Sequence, residues 1–240
     1  DIAAFKKGAV SLNSYELDEL GDVNGKSLLH LQCHFGQDTL SWSRMGAKCT
    51  GIDFSDEAII QAKILNDGLK MDARFTACNV YDVPEKVTGK FDIVYTSYGV
   101  IGWLPDLNSW GKIIAEKLKK GGVFYMIEFH PIAWMFDYQN TPANLAYPYL
   151  NRDVIYEEYK GTYTDQEADI ISAEYGWNHG LGEVISALTD AGLQLEFLHE
   201  FEESPYKSFP NMEPTPSGMY VLKENKRLFP LIYSIKATKI

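Results

Sequence analysis

Three sets of residues in this sequence could do chemistry. Asp53 closes a short apolar run, Cys49 to Ile52, and a carboxylate at a strand end can accept both hydroxyls of a ribose. His130 follows Glu128 just past another apolar run, Val123 to Ile127. Imidazole is the natural general base near neutral pH, so His130 either takes a proton there or only orients a loop. Tyr98 and Trp103, with Trp177 and His179 further on, could wall a pocket for a small molecule with an apolar or ring-like body.

Short elements must hold these groups in place. Ser27 to Leu31 reads as a buried strand, and a turn containing Gly36 follows it. Gln37 to Met45 reads as a helix that Gly46 ends, and the next strand runs to Asp53. Strand, turn, helix, strand and acid form the first unit of a nucleotide-binding βαβ fold. The helix N-terminus offers free N–H groups near the turn, and Asp53 falls about 20 residues on, the spacing of a ribose-binding acid. The dinucleotide fingerprint GxGxxG fails, because Gln32, His34 and Gln37 stand where it needs glycine.

Beyond Asp53, Ser55 can cap a helix with Asp56 and Glu57 in its first turn. Ala73 to Cys78 reads as a strand that runs into Asn79, Val80 and Tyr81, in a loop ended by Pro84. Phe91 to Thr96 is a fourth strand, and Ser97 to Pro105 a loop. The helix carrying Trp110, Ile113 and Ile114 should close on Lys117, Lys119 and Lys120, with Gly121 and Gly122 after them. A helix over 181–191 and strands over 193–201 and 231–238 restore the rhythm after a long interruption. This alternation predicts an α/β protein with a parallel sheet flanked by helices.

Composition narrows the function. The 240 residues are 45% hydrophobic and 23% charged, ordinary for a globular protein. Net charge is -11, which disfavours nucleic-acid substrates because phosphate binding needs a basic surface. No apolar run is long enough to span a membrane, and no basic segment with an apolar run behind it opens the sequence. Cys33, Cys49 and Cys78 form no metal-ligand spacing, so no metal is expected and a reducing cytoplasm fits best.

In several places the chain resembles the class I S-adenosylmethionine-dependent methyltransferases. LLHLQCHFG is similar to the first strand and cofactor loop of that family, usually VLDLGCGTG. GIDFS looks like its second-strand motif, CNVYDVP its GDAxxLP loop, FDIVYTS with WLPD its fourth strand, and LKKGGVFYMIE its LKPGG strand. The resemblance covers about residues 26 to 130, and more loosely 181 to 240. It implies a doubly wound, seven-stranded, mostly parallel Rossmann-like sheet with helices on both faces, the last strand antiparallel. It implies S-adenosylmethionine as cofactor, held by Gln32, His34, Gly36, Asp53, Phe54, Asn79, Val80, Tyr81 and Ser97. His30 stands where the family usually has an acid, and Gln32 and His34 replace two loop glycines. Phe54 packs either on the adenine or in the core, Asn79 either meets the adenine amine or caps a turn, and His34 either binds the methionine carboxylate or faces solvent.

The expected reaction is methyl transfer to a small-molecule acceptor, with Tyr98, Trp103, His130, Trp177 and His179 on the acceptor side. The rivals are a non-catalytic S-adenosylmethionine-binding module and a nicotinamide-dependent oxidoreductase. The expected organisation is one domain over 1–240. Its cofactor core is 21–130, its aromatic-rich cap 131–180, and 181–240 returns to the sheet. Trp134, Tyr138, Tyr163 and Trp177 lie within that cap, which serves either as a lid over the acceptor or as a homodimer interface.

Overall fold

The structure is a computed structural model that describes residues 2–136, 144–160, 171–224 and 228–240. Two short helices, α1 (Ile2–Lys6) and α2 (Ser14–Leu20), precede β1 (Ser27–Leu31). Then come α3 (Gln37–Arg44), β2 (Lys48–Asp53), α4 (Asp56–Gly68), β3 (Arg74–Ala77) and α5 (Val83–Lys86). They are followed by β4 (Phe91–Thr96), α6 (Leu107–Lys117) and β5 (Leu118–Phe129). A hairpin of β6 (Ile155–Lys160) and β7 (Ile171–Gly176) leads to α7 (Leu181–Asp190) and β8 (Leu193–Phe201). The short strands β9 (Met212–Pro214) and β10 (Tyr220–Leu222) pair with each other before β11 (Ile232–Lys239).

Seven strands form one sheet in the order β3-β2-β1-β4-β5-β11-β8. All neighbours are parallel except β11, which runs antiparallel to both β5 and β8. Strand alternation sorts the core onto two faces. Leu29, Val94, Phe124 and Met126 pack with α6 and α7, while Leu28, Tyr95, Tyr125 and Ile127 pack with α2, α3 and α4. The strand order turns back between β1 and β4. In such sheets the crevice beyond the carboxyl ends of those two strands is where ligands bind.

Local chemistry explains the element ends. Ser55 caps α4 by accepting the Ala58 N–H at 3.2 Å. Pro84 does not end a loop, as the sequence reading has it, but sits in the first turn of α5, where its missing N–H costs nothing. The lysine-rich end of α6 also differs from expectation. The helix stops at Lys117, and β5 already includes Lys119, Lys120, Gly121 and Gly122. Lys117 is buried and donates to the carbonyls of Pro84 and Val87, while Lys119 pairs with Asp92 on β4 at 2.8 Å.

Part of the aromatic insert has structure of its own. Phe136 joins Phe209 and Phe229 in a small third cluster, and Tyr156 and Tyr175 meet across the exposed hairpin. Tyr138 and Tyr163 lie outside the described residues.

Candidate functional site

The loop between β1 and α3 keeps a glycine-like backbone without two of the glycines. Gln32 and His34 have φ of 56° and 49°, in the left-handed region. That region costs a residue with a Cβ roughly 1–2 kcal/mol. Gly36 has φ of 76°, and a Cβ there would come within 2.7 Å of the Phe75 ring. Glycine is therefore needed at 36 for both space and backbone.

This loop aims Asp53. One carboxylate oxygen accepts the His34 N–H at 2.7 Å and the other accepts the Ser55 N–H at 2.9 Å. A carboxylate has about four acceptor positions, so the half-buried group keeps capacity for two hydroxyls. Phe54 beside it is 77% exposed, which removes the core-packing reading. Asn79 Oδ1 caps a short turn by accepting the Tyr81 N–H at 3.0 Å, and the residue remains exposed. The Val80 side chain is buried in the core. The Tyr81 hydroxyl exchanges hydrogen bonds with the backbone of Asp106, and its ring lines an open cavity of about 420 Å³ beside α6. The His34 ring lies on Phe35, with centroids 4.0 Å apart, and burial lowers its pKa against the opposing charge of Asp53.

Two acids near this edge were not singled out from the sequence. Asp38, in the first turn of α3, accepts from the hydroxyls of Ser11 at 2.5 Å and Ser97 at 3.3 Å, and burial raises its pKa. Glu16 on α2 is 1% exposed. It accepts from the hydroxyls of Tyr95 at 2.5 Å and Tyr98 at 3.2 Å. Burial, helped by the charge of Asp38, pushes Glu16 up to about 7, while the Tyr95 hydrogen bond pulls it down. The spacing Asn13-x-x-Glu16 is a capping-box signature and was the available signal for Glu16. His30 is buried and its pKa is pushed down to about 3 by burial. Its Nδ1 meets the Thr39 hydroxyl at 2.8 Å. Cys33 is buried too, and burial pushes its thiol well above the ordinary range, as suits a small filler.

The loop after β4 is gripped from three sides. The Glu128 carboxylate accepts the N–H groups of Gly99, Val100 and Ile101, and its own neighbour Phe129 at 2.7 Å. Burial pushes Glu128 up to about 7 against those four donors. Gln32 Nε2 donates to the Val100 carbonyl at 2.9 Å. From the far side, the Trp177 N–H donates to Gly102 O at 2.9 Å, and His179 Nε2 donates to Leu104 O at 2.7 Å. Trp177 and His179 thus close on the loop that carries Tyr98 and Trp103.

Both ring nitrogens of His130 meet protein groups. Its Nδ1 accepts the Ile132 N–H at 3.2 Å, which fixes the proton on Nε2, and Nε2 donates to Glu200 at 2.9 Å. Its ring meets Tyr233 edge-on and is 2% exposed. The Tyr98 ring turns toward Tyr206 and Phe129, at 5.6 and 5.9 Å, and Trp103 is 48% exposed. Phe129, Trp134 and Tyr206 extend this aromatic wall: Phe129 stands 5.6 Å from Trp134 and 5.8 Å from Tyr206. Among the described residues no group of three His, Cys, Asp or Glu could hold a metal, and no helix is long and apolar enough to cross a membrane.

A nucleotide-binding crevice at the switch point of a mixed seven-stranded sheet is the common feature of Rossmann-like folds. Residues 29–126 match the family model described as a methyltransferase domain. The chain is 30% identical over 131 residues to an uncharacterized methyltransferase of Synechocystis sp., covering 54% of this chain and 59% of that one. It is 31% identical over 115 residues to a ubiquinone biosynthesis O-methyltransferase of Escherichia coli O157:H7, covering 47% of each. The chain spans about half the length of the curated relatives it matches. In fold it superposes on an S-adenosylmethionine dependent methyltransferase from Mesorhizobium loti with a TM-score of 0.62. Sequence identity there is 18%, with 98% of this chain and 100% of that one covered. Residues 29–126 are thus similar to a methyltransferase domain, and the chain shares the fold of the S-adenosylmethionine-dependent methyltransferase on which it superposes.

Proposed function

We propose that the protein transfers the methyl group of S-adenosylmethionine to a small-molecule acceptor with an apolar or ring-like body. The observation that carries this reading is Asp53, held at the end of β2 by two backbone N–H groups with acceptor capacity to spare. Asp53 takes the ribose hydroxyls. Exposed Phe54 lies against the adenine, with Asn79 and the backbone of Val80 and Tyr81 at its edge. Gln32, His34 and Gly36 shape the loop under the methionine end. Ser97 and Asp38 face its ammonium, and Asp38 supplies there the negative charge that His30 no longer offers.

When bound, the cofactor supplies a sulfonium methyl already activated for displacement. The protein's task is then alignment and exclusion of water rather than strong acid–base chemistry. Tyr98, Trp103, Trp177 and His179 wall the acceptor side, joined by Phe129, Trp134 and Tyr206. His130 steadies the turn after β5 and is assigned no proton transfer. The insert around the β6–β7 hairpin acts as a lid; the rival use is a homodimer interface. The acidic composition and the buried free cysteines Cys33, Cys49 and Cys78 fit a reducing cytoplasm and no nucleic-acid substrate.

Calorimetry with S-adenosylhomocysteine and with NAD, followed by a methyl-transfer assay over a pool of small aromatic metabolites, tests the reading. Binding of the first and not of the second is expected, together with methylation of at least one acceptor. Binding of NAD alone would overturn it.

A further inference from the structure

The Gln32 side chain joins the loop after β1 to the loop after β4. It does so from a backbone conformation that glycine takes freely and other residues rarely take, with φ of 56°. Its Nε2 donates to Val100 O, and the N–H groups on either side of that carbonyl, of Val100 and Ile101, are fixed on Glu128. The other end of the same amide is in deficit: Gln32 Oε1 is buried and has no hydrogen-bond partner. Backbone strain and an orphaned buried oxygen are both unfavourable, and a glycine at this position would remove both. Strain of this kind persists where the surroundings hold it, and it collects at functional sites.

The connection runs between two functions. One end is the loop that aims Asp53, since the His34 N–H beside Gln32 holds that carboxylate. The other end is the segment Gly99–Trp103, anchored to Glu128 on β5 and to Trp177 before α7. A displacement of the first loop on binding a ligand must therefore either carry Val100 with it or break the Gln32 hydrogen bond.

We infer that Gln32 is a positioning residue that couples occupancy of the cofactor loop to the placement of the acceptor-side loop. This rests on the reading of the crevice as an S-adenosylmethionine site. It assigns Gln32 a task that no glycine could perform. Coupling of this kind is reciprocal, so an acceptor that orders Gly99–Trp103 also tightens the cofactor.

Hydrogen exchange with S-adenosylhomocysteine as the probe tests the inference without a known acceptor. In the wild type, the probe should slow exchange of the Gly99, Val100 and Ile101 amides about tenfold, within the usual range of allosteric coupling. Gln32→Gly relieves the strain, so it should fold at least as well; because Gln32 also belongs to the cofactor loop, the probe is held at a saturating concentration set from each variant's own calorimetric affinity. The Gly99–Ile101 amides of Gln32→Gly should then change less than about twofold. Gln32→Glu keeps the length but loses the Nε2 donor, and should show the same loss of transmitted protection. Protection in either variant equal to that of the wild type overturns the coupling. A wild type that binds the probe without protecting these amides overturns it too, while leaving the cofactor reading intact. A wild type that does not bind the probe sinks the cofactor reading itself.

Discussion

The two loops at the carboxyl edge are built in opposite ways. The loop after β1 is held by backbone bonds within itself and to the adjoining strand β2, with the Gln32 side chain reaching further, to Val100. Cys33 N–H bonds to Ile52 O, Gly36 N–H to Cys33 O, and His34 N–H to Asp53. The loop after β4 is held by distant chain: Glu128 on β5, Gln32, the Trp177 backbone and His179. The first can keep its geometry through sequence change, which is how Gln32 and His34 stand at positive φ without loss of the fold. The second can be adjusted by any of several neighbours, which suits the acceptor-side role proposed for it.

Removing Glu128 attacks the second loop at its anchor. Glu128→Ala leaves several buried N–H groups without an acceptor, at about 1–3 kcal/mol for each left unsatisfied. A stability loss of about 3 kcal/mol or more is expected in urea denaturation. Loss below about 1 kcal/mol would mean that water or relaxation replaces the carboxylate, and that the loop is less dependent on distant chain than argued.

Glu16 tests the ground beneath the same loop, because it holds the Tyr98 hydroxyl. Its folded pKa is raised from 4.5 to about 7, chiefly by burial. The sign follows: folding prefers the neutral form, so this contribution is complete below pH 4.5 and is lost as pH rises through about 7. Glu16→Gln mimics the neutral form. Thermal melts from pH 4.5 to 8 should show the wild type losing stability relative to the variant across this window. Parallel curves would contradict the buried-acid description.

His130→Ala asks whether the acceptor side contains a base. With both ring nitrogens bound by the protein, the variant should lose stability, and any change in activity should appear mainly in KM. A kcat loss of about 10²-fold or more, relieved at high pH, would restore His130 as a base. Phe54→Ala gives the smallest effect. The ring is 77% exposed, so stability should hold while cofactor affinity falls by about 0.5–1.5 kcal/mol, the worth of a stacked pair.

The same contrast explains what was legible in the sequence. The unit from β1 to Asp53, the strand Phe91–Thr96 and the strand Leu193–Phe201 follow from local apolar runs and turn residues. Asp53 was readable because its position is a strand end at a fixed spacing. The partners of His130 were not, because Glu200 lies 70 residues away and no local pattern brings it near. The burial of Lys117 was hidden for a similar reason: the residue does sit in the last turn of α6, but only the packing of α5 against α6 buries it. The strands β9 and β10 have three residues each, too few for a periodic signal. Positive φ at Gln32 and His34 is invisible in side chains that do not favour it.

Asp53 tests the central claim most directly. Titration calorimetry of S-adenosylhomocysteine into the wild type and into Asp53→Ala compares the site with and without its carboxylate. Loss of hydrogen bonds to a charged group costs about 1.5–3 kcal/mol, so the variant should bind roughly ten- to hundredfold more weakly. Equal affinity in the two proteins would contradict the assignment of this crevice as the cofactor site.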